Sequence, residues 1–197
     1  MKTANRIDTR KLVLLALFTA IVVVLQVLAI LTRPLFPAFS ITLVLMPIVI
    51  GAALIDVYAG CWLGFAFGIA VLISGDAAPF MQIDPAATIA VVLLKGALAG
   101  LAAGAVYKLI AKKNRTIAAV AAAVVCPIVN TGVFIIGGYL FFLDTLRGWG
   151  ADAGAVSVTA FIFLVVVGVN FLVELGINLI LSPTIVRLIQ QGQDRRK

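Results

Sequence analysis

The chain has 197 residues, 63% of them hydrophobic and 12% charged, with a mean hydropathy of +1.22. That balance excludes an ordinary soluble domain. The net charge of +7 sits beside apolar segments rather than among stacking aromatics, which argues against nucleic acid as a partner. Histidine is absent, and Cys61 and Cys126 lie far apart inside apolar stretches, so the sequence suggests no metal site, no disulfide framework and no ready general base.

A basic region, residues 2–11, leads into an apolar run over 12–31 with no small-residue cleavage site. The pattern predicts a first membrane helix rather than a cleaved signal. Ala16 and Ala20 give that helix a small-xxx-small face near its basic end. Five further apolar segments follow, over 41–55, 58–74, 86–107, 117–143 and 157–181. The second and third abut at Asp56, so they are read as two short spans joined by a tight turn, with a re-entrant segment as the alternative. The expected fold is an all-α membrane protein, a compact bundle of six transmembrane helices forming one integral domain over 1–197.

Alternate flanks of these spans carry very different charge. With the N-terminus inside, twelve basic residues fall on inner flanks: Lys2, Arg6, Arg10, Lys11, Lys108, Lys112, Lys113, Arg115, Arg187, Arg195, Arg196 and Lys197. Only Arg33 and Arg147 fall outside, which predicts cytoplasmic N- and C-termini. The outer loops carry Asp76, Asp84, Asp144 and Asp152, together with Pro34, Pro37, Pro79, Pro85 and several glycines, as structured loops do. Gly60, Gly64 and Gly68 recur every four residues in the third span, and Gly96, Gly100 and Gly104 do so in the fourth. Such ladders let backbones approach closely in lipid and place both spans in the tight centre of the bundle.

Polar residues inside the apolar segments are the candidate chemistry. Asn170, Glu174 and Asn178, at intervals of four, stack on one face of the last span, and a carboxyl group there is costly unless it faces protein or water. Lys95 lies about 15 Å into the fourth span, at 1.5 Å per residue, and needs a partner as well. It either pairs with Glu174 or awaits an anionic or carbonyl-bearing ligand. In the fifth span Pro127 removes a backbone hydrogen bond and predicts a kink, with Asn130 and Thr131 beside the freed carbonyls. That kink serves either packing or a site. By depth Asn170 is the better candidate for ligand contact, and Asn178 is read as a packing or interface residue. Trp149 is read as an interfacial anchor and Trp62 as a residue able to stack on a flat ring. Asp76 and Asp84 flank an outer loop, where they either gate or line an entrance or are solvated loop carboxylates, the default reading.

Six spans, the Ala16-xxx-Ala20 pair, the run from Leu93 to Gly100, the Pro127 to Thr131 kink and Asn170-xxx-Glu174 followed by Ser182-Pro183 together resemble the substrate-binding S component of an energy-coupling factor (ECF) vitamin transporter. The resemblance covers nearly the whole chain. It implies a multi-pass protein of a prokaryotic cell membrane that binds a small-molecule vitamin and hands it to a coupling membrane subunit driven by two cytoplasmic ATPases. It assigns Ala16 and Ala20 to the coupling-subunit interface, and the ligand pocket to the outer side of the last three helices and the outer loops. No Walker A pattern is present, so any work done by ATP belongs to partners. Lys95, Asn130, Thr131, Asn170 and Glu174 are the expected substrate-binding residues, with no catalytic residue, no metal and no cofactor. One cation suits the carboxylate of pantothenate, ranked slightly ahead of the uncharged ring edge of riboflavin. The rival classes are a self-sufficient secondary transporter or channel using Glu174 and Lys95, and an intramembrane enzyme.

Overall fold

The computed structural model describes residues 9–32 and 43–194. Lys2, Arg6, Arg33, Pro34, Pro37, Arg195, Arg196, Lys197 and the first residues of the expected second span lie outside the described residues.

The chain runs through α1 (Thr9–Thr32), α2 (Leu45–Leu54), α3 (Val57–Ile73), the short α4 (Ala78–Met81), α5 (Pro85–Ile110), α6 (Arg115–Phe141), α7 (Leu143–Asp152), α8 (Val158–Phe161), a π-helical turn at Ile162–Val166, and α9 (Gly168–Asp194). Among the described residues, four stretches are long and apolar enough to cross a membrane: Thr9–Leu31, Pro85–Ile110, Arg115–Phe141 and Phe171–Gln191. The two other apolar helices, α2 and α3, are shorter and are separated only by Ile55 and Asp56.

Several of these helices begin where a side chain takes over an orphan amide. Asp56 Oδ1 accepts from Ala59 N at the start of α3, Asp84 Oδ1 from Ala87 N at α5, Asn114 Oδ1 from Ile117 N at α6, and Ser157 Oγ from Ala160 N at α8. Each such cap contributes on the order of 1 kcal/mol and fixes the chain's direction of entry. Pro85 follows Asp84 at the first position of α5, where its missing N–H costs nothing. Asp84 is thus a helix cap, a more definite role than the solvated or entrance carboxylate read from sequence.

The last apolar segment departs from the straight span expected over 157–181. It is broken near its start by the π turn, where Val167 N donates to Ile162 O across five residues. At its other end the helix carries on past Pro183. That proline cannot donate to Leu179 O, and the Ser182 hydroxyl does so instead at 2.8 Å, so α9 continues to Asp194.

The glycine ladders meet face to face across α3 and α5. A Cβ on Gly60 would stand 2.5 Å from Gly100 O, one on Gly64 would collide with Gly96 O, and one on Gly68 would lie 2.9 Å from Val92 O. The helices therefore touch through backbone, and contacts of that kind contribute about 0.5–1 kcal/mol each. α2 is buried nearly all round beside this seam, with Leu45, Ile48, Val49 and Ala52 in the core. α1 is the opposite: Val22, Gln26 and Ala29 are its buried residues, whereas Leu12, Val13, Leu17, Val24 and Leu31 are exposed.

Two ends of the bundle follow from the contacts. At one end Lys11 of α1 approaches Asp56 at 3.7 Å, and Gln190 of α9 donates to Thr116 of α6 at 3.4 Å. At the other, Gln26 of α1 meets the turn after α3, and α4 packs against α7 through Phe80 and Trp149. One apolar cluster around Leu45, Ile48, Leu63 and Ile185 fills the basic half, and a smaller one around Phe142, Leu146, Phe161 and Ile162 fills the other.

Candidate functional site

A cavity of about 280 Å³ opens where those two clusters meet. Every long apolar helix contributes to it, as do the turn after α3, α4 and the π turn. On α5 the lining residues Thr88, Val91, Val92 and Lys95 recur at helical spacing, while Gly96 and Gly100, on a neighbouring face, press on α3. One helix thus builds both the seam and a wall.

The Lys95 ammonium sits 5.1 Å from the centroid of the Phe134 ring, over its face. A cation against an aromatic face gains about 2 kcal/mol when water is excluded. Glu174 lines the same cavity from α9, close enough for its charge to act on Lys95. Asn130, Thr131 and Phe134 enter from one turn of α6, which is continuous helix on both sides of the buried Pro127. The Asn130 Oδ1 atom is buried and accepts no hydrogen bond from the described residues. Of the residues expected from sequence, Lys95, Asn130, Thr131 and Glu174 therefore share one cavity. The side chain of Asn170 lies outside the described residues, although its backbone belongs to α9. Asn178 is buried and donates to Glu174 O of its own helix at 2.9 Å, away from the cavity.

Gln26 was not singled out from the sequence. Its Nε2 donates to Asp76 Oδ2 at 2.6 Å and to Ser74 Oγ at 3.3 Å, while its buried Oε1 has no donor among the described residues, and the residue lines the cavity. The residue is 1% exposed, and an amide that buried ordinarily answers to some partner. A signal existed: Gln26 is the one amide in the apolar run 12–31. Asp76 lines the cavity as well and is held against α1 by this bond. Gly75, at φ +78°, makes the turn that carries it there.

The wall nearest α4 and α7 is aromatic. Phe80 stands edge-on to Phe134, Phe142 and Trp149 at centroid distances of 5.6, 5.0 and 5.4 Å. Trp149, read from sequence as an interfacial anchor, packs one side of its indole in this cluster, where α7 meets α4, and is partly exposed. Trp62 likewise does not reach the cavity. Its Nε1 donates to Thr19 Oγ1 at 3.2 Å, tying α3 to α1 on the outer surface. Ala16 and Ala20 lie on that exposed side of α1.

The arrangement can hold a small molecule with mixed polarity: one cation, two carboxylates, two side-chain amides and aromatic faces line one space. No nucleophile stands beside a general base among these residues. A family model described as "ECF transporter, substrate-specific component" matches residues 10–186. No curated protein and no solved structure was found to match the chain.

Proposed function

Because the chain belongs to the substrate-specific components of ECF transporters, and is therefore a membrane substrate-binding subunit, we propose that its cavity binds a water-soluble vitamin, with pantothenate ahead of riboflavin. The observation that carries this reading is the convergence of Lys95, Glu174, Asn130, Asp76 and Gln26, from four helices and a turn, on one space walled by phenylalanines. Lys95 suits the ligand carboxylate. The amide oxygens of Gln26 and Asn130 accept from hydroxyl or amide donors, which pantothenate has in number. A volume of about 280 Å³ is at the lower edge of the usual range for ligand pockets, roughly 300–1,000 Å³, and favours a slender ligand over a fused tricycle. Asn170 remains part of the proposed site through its position one turn before Glu174 on α9.

In this reading the bundle crosses the membrane six times with both termini in the cytoplasm of a prokaryotic cell. Ala16 and Ala20 face the coupling subunit, whose two ATPases supply the energy. Exposure of the Ala16 and Ala20 side of α1 supports that assignment, since a docking surface must be open in the isolated subunit. Titration of the purified protein with a panel of vitamins tests the ligand: saturable binding of pantothenate is expected, riboflavin binding would move the assignment, and no binding of any vitamin would overturn it. Replacing Ala16 or Ala20 with Trp is expected to abolish co-purification with the ATPase-containing complex and leave ligand affinity intact. Uptake that persisted without ATP or a coupling subunit would instead favour a self-sufficient transporter.

A further inference from the structure

At the opposite end of the bundle a second, larger hollow of about 780 Å³ shares no residue with the ligand cavity. Lys108 and Lys112, one turn apart near the end of α5, and Arg115, the first residue of α6, line it together. All three are exposed. The one acid in the lining, Asp56, is engaged twice: Oδ1 accepts from Ala59 N at 2.8 Å, and Oδ2 lies 3.7 Å from the Lys11 ammonium. The positive charge of the hollow is therefore not balanced from within. Its open apolar side is formed by the partly exposed Ala53, Val57 and Ala111, and Tyr58, 81% exposed, adds an aromatic residue to the lining.

We propose that this hollow is a binding site for an anionic phospholipid, with the headgroup phosphate among Lys108, Lys112 and Arg115 and the glycerol and upper acyl carbons along Ala53, Val57 and Ala111. Depth supports a lipid over a soluble phosphate. The apolar stretch of α5 ends at Ile110, so these cations stand at headgroup level, where basic pockets between helices recognise anionic lipids and tyrosine is favoured. Lys108 is about 20 Å along α5 from Lys95, at 1.5 Å per residue, so the two sites can be altered separately. An acidic protein surface would satisfy the cations but would have no use for the apolar side.

The test titrates the full-length protein, in a neutral detergent, with phosphatidylglycerol, phosphatidylcholine or glycerol 3-phosphate, and counts bound lipid by native mass spectrometry. Phosphatidylglycerol is expected to bind one per protein and in preference to phosphatidylcholine. The triple variant K108Q/K112Q/R115Q should lose roughly 100-fold in apparent affinity, at about fivefold per cation removed. Lys113→Gln, an exposed neighbour outside the lining, should bind as the parent does. If the triple variant does not fold, Arg115→Gln alone must show the fivefold loss. Equal binding of the two lipids, or an unchanged triple variant, would overturn the proposal. So would displacement of the lipid by glycerol 3-phosphate at equal concentration, which would assign the hollow to a soluble phosphate ester. Loss of co-purification with the ECF complex in the triple variant, without any preference for phosphatidylglycerol, would overturn it in favour of an acidic protein partner.

Discussion

Two walls of this bundle are built on opposite principles. α3 and α5 meet through glycine carbonyls and have almost no side-chain volume between them. The facing wall, from α6 through the π turn into α9, is bulky, polar in places and irregular, with Pro127, five π-helical residues and Pro183. A seam of backbone against backbone has one register, since a shift of a single residue drives a Cβ into a carbonyl. The irregular wall has side chains that can adjust, and it supplies Asn130, Phe134, Phe171 and Glu174 to the cavity. Rigidity and adaptability are thus assigned to different helices around the same ligand space, with α5 belonging to both.

The largest effect is expected where the seam is broken. Gly64→Leu places a side chain in the carbonyl of Gly96, and a loss of about 3 kcal/mol or more should appear as absence of monodisperse protein or a large fall in Tm. Gly132 on the other wall has open space around its Cα, so Gly132→Ala should leave stability unchanged or raise it by up to about 1 kcal/mol. If the two substitutions behaved alike, the contrast between the walls would be wrong.

Next comes the charged floor of the cavity. Lys95→Met is expected to leave the thermal unfolding transition in place and weaken ligand binding roughly 100-fold, or about 2.7 kcal/mol. Combining it with Glu174→Gln decides what Lys95 answers to. A coupling of more than about 1 kcal/mol in the stability of the ligand-free protein would indicate a structural pair, and additive losses would leave Lys95 to the ligand. Phe134→Leu removes the ring beneath the ammonium and should cost about 1–2 kcal/mol of binding with little change in Tm. The smallest effect is expected at Gln26: Gln26→Leu abolishes the bond to Asp76 and should weaken binding about fivefold, read by the same titration.

Much of the seam was legible in the sequence because spacing alone carries it. Glycine every fourth residue in two neighbouring spans can serve little besides close approach, and the structure pairs Gly60 with Gly100 and Gly64 with Gly96. Lys95 and Glu174 were legible for a different reason: an ionisable group inside an apolar segment has few tolerable surroundings. Gln26 was not, because the first helix was read only for its outward alanine face and a neutral amide is a weaker signal than a charge. The aromatic wall could not be read either. Phe80, Phe134 and Trp149 come from three elements with no shared period, and only the fold-back of α7 over α4 brings them together. The π turn was equally hidden, since Ile162–Val166 is a plain aliphatic run with no Gly or Pro to mark it.

The glycine seam also bears on the order in which the molecule is made. All of its contacts fall between residues 57 and 104, so both helices are synthesised before any of α6 or α9. Contacts of short sequence separation form early, because little loop entropy opposes them. α3 and α5 can therefore lock together while synthesis continues. The ligand space is then completed last, when Glu174 arrives on α9 against a partner surface already set. Until α6 and α9 arrive the nascent chain holds the seam and half a cavity, which makes it, rather than the mature protein, the form in which Lys95 is most exposed to its surroundings.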